Sequence, residues 1–235
     1  MLDRELSNQP FFKEIESTNA IARQRLEQTP AIARCLQGQV EMQTYQAFLV
    51  EAYHHVKHTV PLLMACGSRL PERLEWLREA IVHYIEEEVG HQEWILNDLQ
   101  NLGVDKEQVR RGRASLATEL MVSYAYDTVA RNNPVALFGM VYALEKTSST
   151  IATYAAGQIA STLELTPGAM SYMVSHGSLD VEHMQDFERL MNRLDDDDDK
   201  AAVLHSVSVF YVLYTRIFAS LPITAAGMEV DSHAA

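Results

Sequence analysis

The sequence has little of what sheet proteins and membrane proteins require. Valine and threonine do not alternate with polar residues at the two-residue period of a strand, and helical periodicity dominates the chain. Unbroken apolar runs stay far below the roughly 18 residues that span a bilayer. The N-terminal stretch MLDRELSNQPFF is acidic where a secretory signal needs basic residues followed by an apolar segment. We therefore expect a cytoplasmic all-α protein with no membrane partner.

Cysteine and positive charge are also scarce. Only Cys35 and Cys66 are present, too few for a disulfide framework and unlike a paired-cysteine zinc motif, so we predict reduced thiols. The 19 lysine and arginine residues are outnumbered by 32 aspartate and glutamate residues, and the net charge is −13. Nucleic acids and anionic membrane surfaces bind basic patches. This balance therefore argues against nucleic acid as a partner.

What the chain does contain is a succession of helical segments with clear end signals. Its 235 residues and 47% apolar content predict one domain over residues 1–221 and a disordered tail over 222–235. Pro71 and Gly103 mark helix ends, Thr166 is a candidate N-cap, and Pro61 predicts a kink in the second helix. We interpret the acidic run DDDDDK at 195–200 as a solvated loop. The pattern predicts about seven helices, near 8–28, 41–69, 72–102, 106–131, 134–164, 167–194 and 200–221.

The sixth predicted helix places ionisable residues on its apolar side. In the stretch YMVSHGSLDVEHMQDF, offsets of four and seven residues put His176, Asp180 and His183 within one narrow sector. Met184 and Phe187 border this sector. Polar groups on a packed face need partners, because an unpaired buried charge costs several kcal/mol.

Two further helices add acids and a histidine to apolar faces. On the third helix, Glu88 and His91 lie on or near the apolar stripe, one helical turn apart. Glu87 competes with Glu88 for the inward position. On the fifth helix, Glu145 shares a face with core residues, and the small side chain of Ser148 leaves room beside it.

Acids and imidazoles that converge inside a helical bundle favour a divalent metal site. These faces offer no obvious basic partners, and a cation would remove the penalty of burying the carboxylates. Mixed carboxylate and imidazole ligands suit iron, as one ion or two, or manganese, whereas zinc favours cysteine and histidine and magnesium favours oxygen. A metal-free network of buried hydrogen bonds is the structural alternative. We predict as ligands Glu88, His91, Glu145, His176, Asp180 and His183, with His55 and His58 of the second helix as possible additions.

The order of these motifs resembles the haem-oxygenase-like group, which includes thiaminase II, pyrroloquinoline-quinone synthase and the non-haem diiron oxidases and oxygenases. The iron-containing redox branch of this group has a similar order of motifs, namely Glu-x2-His, then Glu, then His-x3-Asp-x2-His. Its third helix is similar to the stretch YIEEEVGHQEWILNDLQNLG of this chain. The resemblance covers most of the chain. It implies a haem-oxygenase-like bundle in which the six predicted ligands hold iron. Some members have a carboxylate on the second helix where this chain has histidines, which leaves open whether one or two ions bind.

Three functions are consistent with these patterns. The first is an iron-dependent oxidase or oxygenase that uses dioxygen on a small organic substrate. The second is cofactor-free acid–base chemistry, similar to thiaminase II or pyrroloquinoline-quinone synthase, although no cysteine lies beside the inward acids. The third is a non-catalytic ligand-binding or regulatory bundle. A homodimer is expected by analogy with similar proteins, and candidate pocket residues are Tyr84, Tyr142, Met173 and Met184.

Overall fold

The computed structural model describes residues 10–223, and every regular element within them is helical. The predicted tail lies outside the described residues from position 224 onward, as does the predicted start of the first helix at residue 8. Short 3-10 helices at Glu72–Leu74, Pro134–Ala136 and Pro167–Ala169 precede three of the α-helices. The α-helices are α1 (Phe11–Glu27), α2 (Pro30–Leu36), α3 (Met42–Val56), α4 (Thr59–Gly67), α5 (Glu75–Glu88), α6 (His91–Asn101), α7 (Lys106–Arg111), α8 (Leu116–Arg131), α9 (Leu137–Leu163), α10 (Ser171–Arg193) and α11 (Asp197–Ser220).

The predicted helical segments correspond to these elements, but three of them are each divided into two helices. The second segment breaks just before Pro61, whose ring and missing amide hydrogen disfavour a helix through the preceding turn. The third breaks at Gly90, which has the left-handed φ of +97°. The fourth breaks at Gly112, between α7 and α8. Helix α2 begins at Pro30, where the sequence predicts only a connection.

Helix α9 is the longest element, about 40 Å at 1.5 Å per residue, and packs against both α10 and α11. Its approach to α10 depends on Gly177, because a Cβ there would lie 2.6 Å from Thr153 Oγ1. Its approach to α11 depends in the same way on Gly139, where a Cβ would lie 2.6 Å from Ser206. These two close contacts fix the position of α9 beside the face of α10 that carries the ionisable residues.

The acidic run DDDDDK is not the solvated loop that the sequence predicts. Asp196 caps α11 by accepting hydrogen bonds from the amides of Asp198 and Asp199. Asp199 is only 1% exposed, and it accepts hydrogen bonds from Arg73 at 2.6 Å and from Asn133 at 2.7 Å. Because negative charge is favourable at a helix N-terminus, the run starts α11 and anchors it to distant parts of the chain.

Among the described helices, α11 alone is long and apolar enough to cross a membrane, with a mean hydropathy of 1.4 over its most apolar window. Half of that window is buried inside the bundle, as is usual for the core helix of a globular domain. A count of unbroken apolar runs does not detect this helix, because His205, Ser206 and Ser208 interrupt it.

Candidate metal centre

The six predicted ligand residues lie together inside the bundle. Glu88 ends α5, His91 begins α6, Glu145 lies in α9, and the other three lie in α10. Four of the six are buried, and the side chains of Glu145 and His176 are only 14% and 13% exposed. Across residues 10–223, no lysine or arginine forms an ion pair with any of the three carboxylates.

The sequence predicts Glu88 and His91 one turn apart on a single helix. In the structure they instead approach each other across a helix break. Val89 leaves the helical conformation and Gly90 adopts a left-handed one, so α5 ends and α6 begins in a new direction. The break leaves Glu88 Oε2 at 3.2 Å from His91 Nδ1. A residue with a Cβ would be strained at Gly90, so the glycine is what allows the two side chains to meet.

Helix α6 is also fixed against the start of α10. Asp98 is fully buried and accepts hydrogen bonds from the backbone amides of Ser171 at 3.0 Å and Tyr172 at 2.9 Å. These are free amides of the first turn of α10, which need an acceptor. The carboxylate therefore holds the helix that carries His91 against the helix that carries His176.

On α10 a single carboxylate oxygen lies between two imidazoles. Asp180 Oδ1 is 3.5 Å from His176 Nδ1 and 3.5 Å from His183 Nδ1. His183 Nδ1 is in turn 3.7 Å from Glu145 Oε1 of α9. The predicted sector of α10 thus faces α9 and forms part of the interior.

The six residues divide into two groups of three, each with ligand atoms within 4.8 Å of one another. We call Glu88, His91 and His176 the first triad, and Glu145, Asp180 and His183 the second triad. The rings of His91 and His176 lie edge to face, with centroids 4.9 Å apart.

Buried polar atoms of these triads lack hydrogen-bond partners within the described part of the chain. Such groups are uncommon in folded proteins, and each requires an explanation such as an ion or a water molecule. Carboxylate oxygens and imidazole nitrogens are donors that suit iron and manganese, so the residues fit a divalent metal. The unpaired atoms are His91 Nδ1, Glu145 Oε2, His176 Nε2, Asp180 Oδ1, and both ring nitrogens of His183.

The ionisable groups of the second triad perturb one another. Burial raises the pKa of Glu145 well above its usual value, and the charge of Asp180 raises it further. Burial acts in the same direction on Asp180, but the adjacent His176 and His183 outweigh it and lower the pKa of that carboxyl. Burial alone would lower the pKa of His183, yet Asp180 reverses this and the net shift is upward. Protonation in the second triad is therefore set by burial together with charges of both triads.

Of the two additional candidates, only His55 lies at the site. It is buried, lines a cavity with Glu88 and His176, and donates from Nδ1 to the backbone oxygen of Glu51 at 2.9 Å. Burial lowers the pKa of His55 to about 4, which keeps the ring neutral. The structure does not place His58 with the six, because its Nδ1 contacts the hydroxyl of Tyr126 at 3.1 Å.

Two neighbouring cavities lead to the site. The inner cavity, about 90 Å³, is lined by ionisable residues of both triads and by Tyr84. The outer cavity, about 110 Å³, is lined mainly by apolar side chains, including Met173, with polar residues such as Thr44 and Gln39 among them. Both cavities share the residues Ser148, Tyr172, His176 and Tyr214.

Two of the four candidate pocket residues lie elsewhere. Tyr142 packs in the core, with its ring centroid 5.6 Å from that of Phe187, and Met184 belongs to the same apolar cluster. Sequence reasoning also did not assign Tyr172 and Tyr214 to the site. Tyr214 belongs to a run of aromatic residues at four-residue spacing on α11, a pattern that equally describes a core face.

The two cysteines are free, as the sequence predicts. The Cys66 thiol is buried and donates to the backbone oxygen of Pro134 at 3.2 Å. Cys35 lines the outer cavity, and burial raises the pKa of its thiol to about 11. Because the thiolate is the nucleophile, neither residue is activated for nucleophilic catalysis.

Comparison with known proteins agrees with the fold. The sequence profile of a family described as iron-containing redox enzymes matches residues 46–215, which include both triads. No curated protein sequence matches the chain.

Several solved structures share the architecture. A domain of unknown function with a heme oxygenase-like fold from Shewanella denitrificans has a TM-score of 0.78 and 27% identity, over 89% of this chain and 90% of that one. A TenA homologue from Pseudomonas syringae has a TM-score of 0.75 and 12% identity, over 90% and 91% of the two chains. Heme oxygenase from Leptospira interrogans has a TM-score of 0.72 and 16% identity, over 91% and 100%. The predicted haem-oxygenase-like fold is thereby confirmed.

Proposed function

Because the chain belongs to the family of iron-containing redox enzymes, we propose that it is a non-haem iron-dependent oxidase or oxygenase acting on a small organic substrate. One observation above all supports this proposal. Three carboxylates and three imidazoles converge in the interior with unpaired polar atoms and no basic partner among the described residues.

The two triads would each hold one ion. Two divalent cations bring four positive charges to three carboxylates, so the buried site becomes nearly neutral. Two histidines with one carboxylate, the composition of the first triad, are typical of non-haem Fe(II) oxygenases. The second triad is richer in carboxylate and suits iron or manganese equally.

Ferrous iron, when bound, would pass electrons from the substrate to dioxygen, so that the substrate is oxidised as dioxygen is reduced. The protein contributes ligands in fixed positions, an interior closed to bulk water, and a neighbouring apolar cavity. Interactions between charges become stronger where water is excluded. Tyr172, Tyr214 and Ser148 line both cavities together with His176, so they would orient the substrate beside the first triad.

The composition of the outer cavity indicates the kind of substrate. Most of its lining is aliphatic or aromatic, which favours a molecule with an apolar body. We propose that the substrate lies with this body in the outer cavity and its reacting atoms next to His176. The cytoplasmic location and the homodimer remain predictions.

Iron loading under anaerobic conditions tests the proposal. We expect about two ferrous ions per chain, and oxygen uptake that depends on both iron and a small organic substrate. The His176→Ala variant should lose this uptake, because it removes a ligand of the first triad. Iron binding no greater than in a variant lacking both triads would refute the proposal.

A second candidate is cofactor-free acid–base chemistry in the same inner cavity. It is favoured by Glu145, whose pKa is raised well above its usual value by burial, a shift in the direction that suits a general acid. Activity that is unchanged after exhaustive chelation would favour this candidate over the iron enzyme. Chemistry of the thiaminase II type would need a different nucleophile, since Cys35 is not activated.

A further inference from the structure

Glu87 lies next to the second triad and lines neither the inner nor the outer cavity. Its side chain is 39% exposed and faces a surface cleft of about 200 Å³ between α5 and α10. The sequence offers Glu87 as a competitor of Glu88 for the inward position. Instead the two residues take different places, because Glu88 belongs to the first triad while Glu87 contacts His183 from outside.

His183 is the member of the second triad that lines the cleft. Its side chain is only 5% exposed, and its two nitrogens face opposite ways. Nδ1 is 3.5 Å from Asp180 and 3.7 Å from Glu145, inside the triad. Nε2 is 3.2 Å from Glu87 Oε2, on the cleft side; the two atoms are within hydrogen-bonding distance, although their present alignment leaves this nitrogen unpaired until the carboxylate turns toward it.

We propose that Glu87 is a positioning residue that accepts the Nε2 proton of His183 and so directs the unprotonated Nδ1 into the second triad. This inference rests on the proposed metal centre and assigns a role to a residue outside the six ligands. A neutral imidazole carries one proton, and only the nitrogen without it can bind a cation. Holding that proton on Nε2 therefore decides which nitrogen serves as the ligand.

Other groups around His183 cannot perform this role. The ring of Tyr84 is tilted against that of His183 at a centroid distance of 5.5 Å, and its hydroxyl forms no hydrogen bond with Nε2. Asp180 and Glu145 lie on the Nδ1 side. The second oxygen of Glu87, Oε1, is 3.4 Å from Nε2 of His83, a contact that helps to hold the carboxylate in place.

Carboxylates that hold the outer nitrogen of a histidine ligand usually contribute about 10–100-fold to metal affinity. We therefore expect Glu87→Ala to weaken one of the two sites by at least about 10-fold. Glu87→Gln retains an oxygen acceptor, so it should bind metal more tightly than Glu87→Ala. Glu86→Ala is the matched control, because Glu86 has the same charge, is 74% exposed and lies next to Glu87 without contacting His183.

The experiment is a titration of metal-free protein with Mn(II) for the wild type and the three variants. Free Mn(II) is measured at each step from its electron paramagnetic resonance signal. A weakened second site in Glu87→Ala, partial recovery in Glu87→Gln and wild-type affinity in Glu86→Ala would support the proposal. Equal affinities in Glu87→Ala and Glu86→Ala would overturn it, as would equal losses in the alanine and glutamine variants.

Nitrogen-15 spectra of the metal-free protein provide a second measurement that does not depend on metal binding. At a pH high enough for the ring to be neutral, we expect His183 to carry its proton on Nε2 in the wild type and to become a mixture of tautomers in Glu87→Ala. A wild-type ring protonated on Nδ1 would overturn the role of Glu87. Failure of the wild type to bind Mn(II) would instead refute the metal centre, while the spectra would still decide the tautomer.

Discussion

The two triads predict how metal binding changes the stability of the protein. A ligand that binds only the folded state adds about 2.7 kcal/mol to the free energy of unfolding when its concentration is 100 times its Kd. Two sites would together add roughly 5.4 kcal/mol under the same condition. For a chain of this length, 1 kcal/mol shifts Tm by about 2–4 °C, so saturation should raise Tm by roughly 11–22 °C.

Two variants, each lacking one ligand of one triad, separate the contributions of the two sites to stability. Asp180→Ala deletes a member of the second triad, and His91→Ala deletes a member of the first. Each variant should keep one site, so its Tm should rise by only about 5–11 °C. The control is Glu182→Ala, since Glu182 is exposed on α10 and belongs to neither triad.

The assay is calorimetry under anaerobic conditions with Fe(II) or Mn(II), combined with elemental analysis of the desalted protein. We expect two ions per chain in the wild type and in the Glu182→Ala control. We expect one ion per chain in each of the other two variants. The reasoning would be refuted if the wild type showed no rise in Tm. It would also be refuted if Asp180→Ala and His91→Ala each retained both ions.

Three further predictions concern other parts of the structure. Asp199→Ala should lose about 1–3 kcal/mol of unfolding free energy, and Asp198→Ala less than about 0.5 kcal/mol, because only Asp199 is buried and paired. Burial opposes ionisation of Asp199, but its arginine and asparagine partners lower its pKa below the usual 3.8. The stabilisation by Asp199 is therefore present above pH 3.8 and should shrink as the pH falls below it. Urea denaturation of the two variants at pH 6 and pH 3 would show this, and a difference in unfolding free energy that stays constant would contradict it. Gly90→Ala should destabilise the folded protein by about 1–2 kcal/mol and weaken metal binding, because Gly90 has a left-handed φ. Gly157→Ala, in an open position of α9, should instead stabilise the folded protein by about 0.5–1 kcal/mol. Calorimetry compares the two variants, and equal effects on stability would exclude strain at the helix break. Ala152→Leu should fill part of the outer cavity and weaken binding of an apolar fluorescent dye without changing the metal content, and unchanged dye affinity would place the binding site elsewhere.

Much of the fold and the grouping of the six residues could be predicted from the sequence. Helical periodicity determines which side chains face the core, and polar residues on an apolar face are conspicuous in that pattern. His176, Asp180 and His183 lie within one sector for this reason, and the structure gives them a common interior position. The break at Gly90 in the third segment was not predicted, although a glycine inside a helical pattern is a possible helix end.

Other features depend on partners that are distant in the sequence. The burial of Asp199 depends on Arg73, which lies 126 positions away, and no local pattern distinguishes this aspartate from its neighbours in the acidic run. The position of Tyr214 depends on how α11 packs against α9. The contact between Glu87 and His183 depends on the direction in which α5 ends. Such contacts follow from tertiary packing, which periodicity alone does not determine.

His176 belongs to the first triad and also forms part of the wall of the outer cavity. A molecule held in that cavity therefore touches a side chain that would hold an ion, and the two binding equilibria are thermodynamically coupled. Whatever factor the occupant contributes to the affinity for the ion, the ion must contribute to the affinity for the occupant. Substrate affinities measured on partly loaded protein would consequently average two populations, and screening for ligands should begin from fully loaded samples.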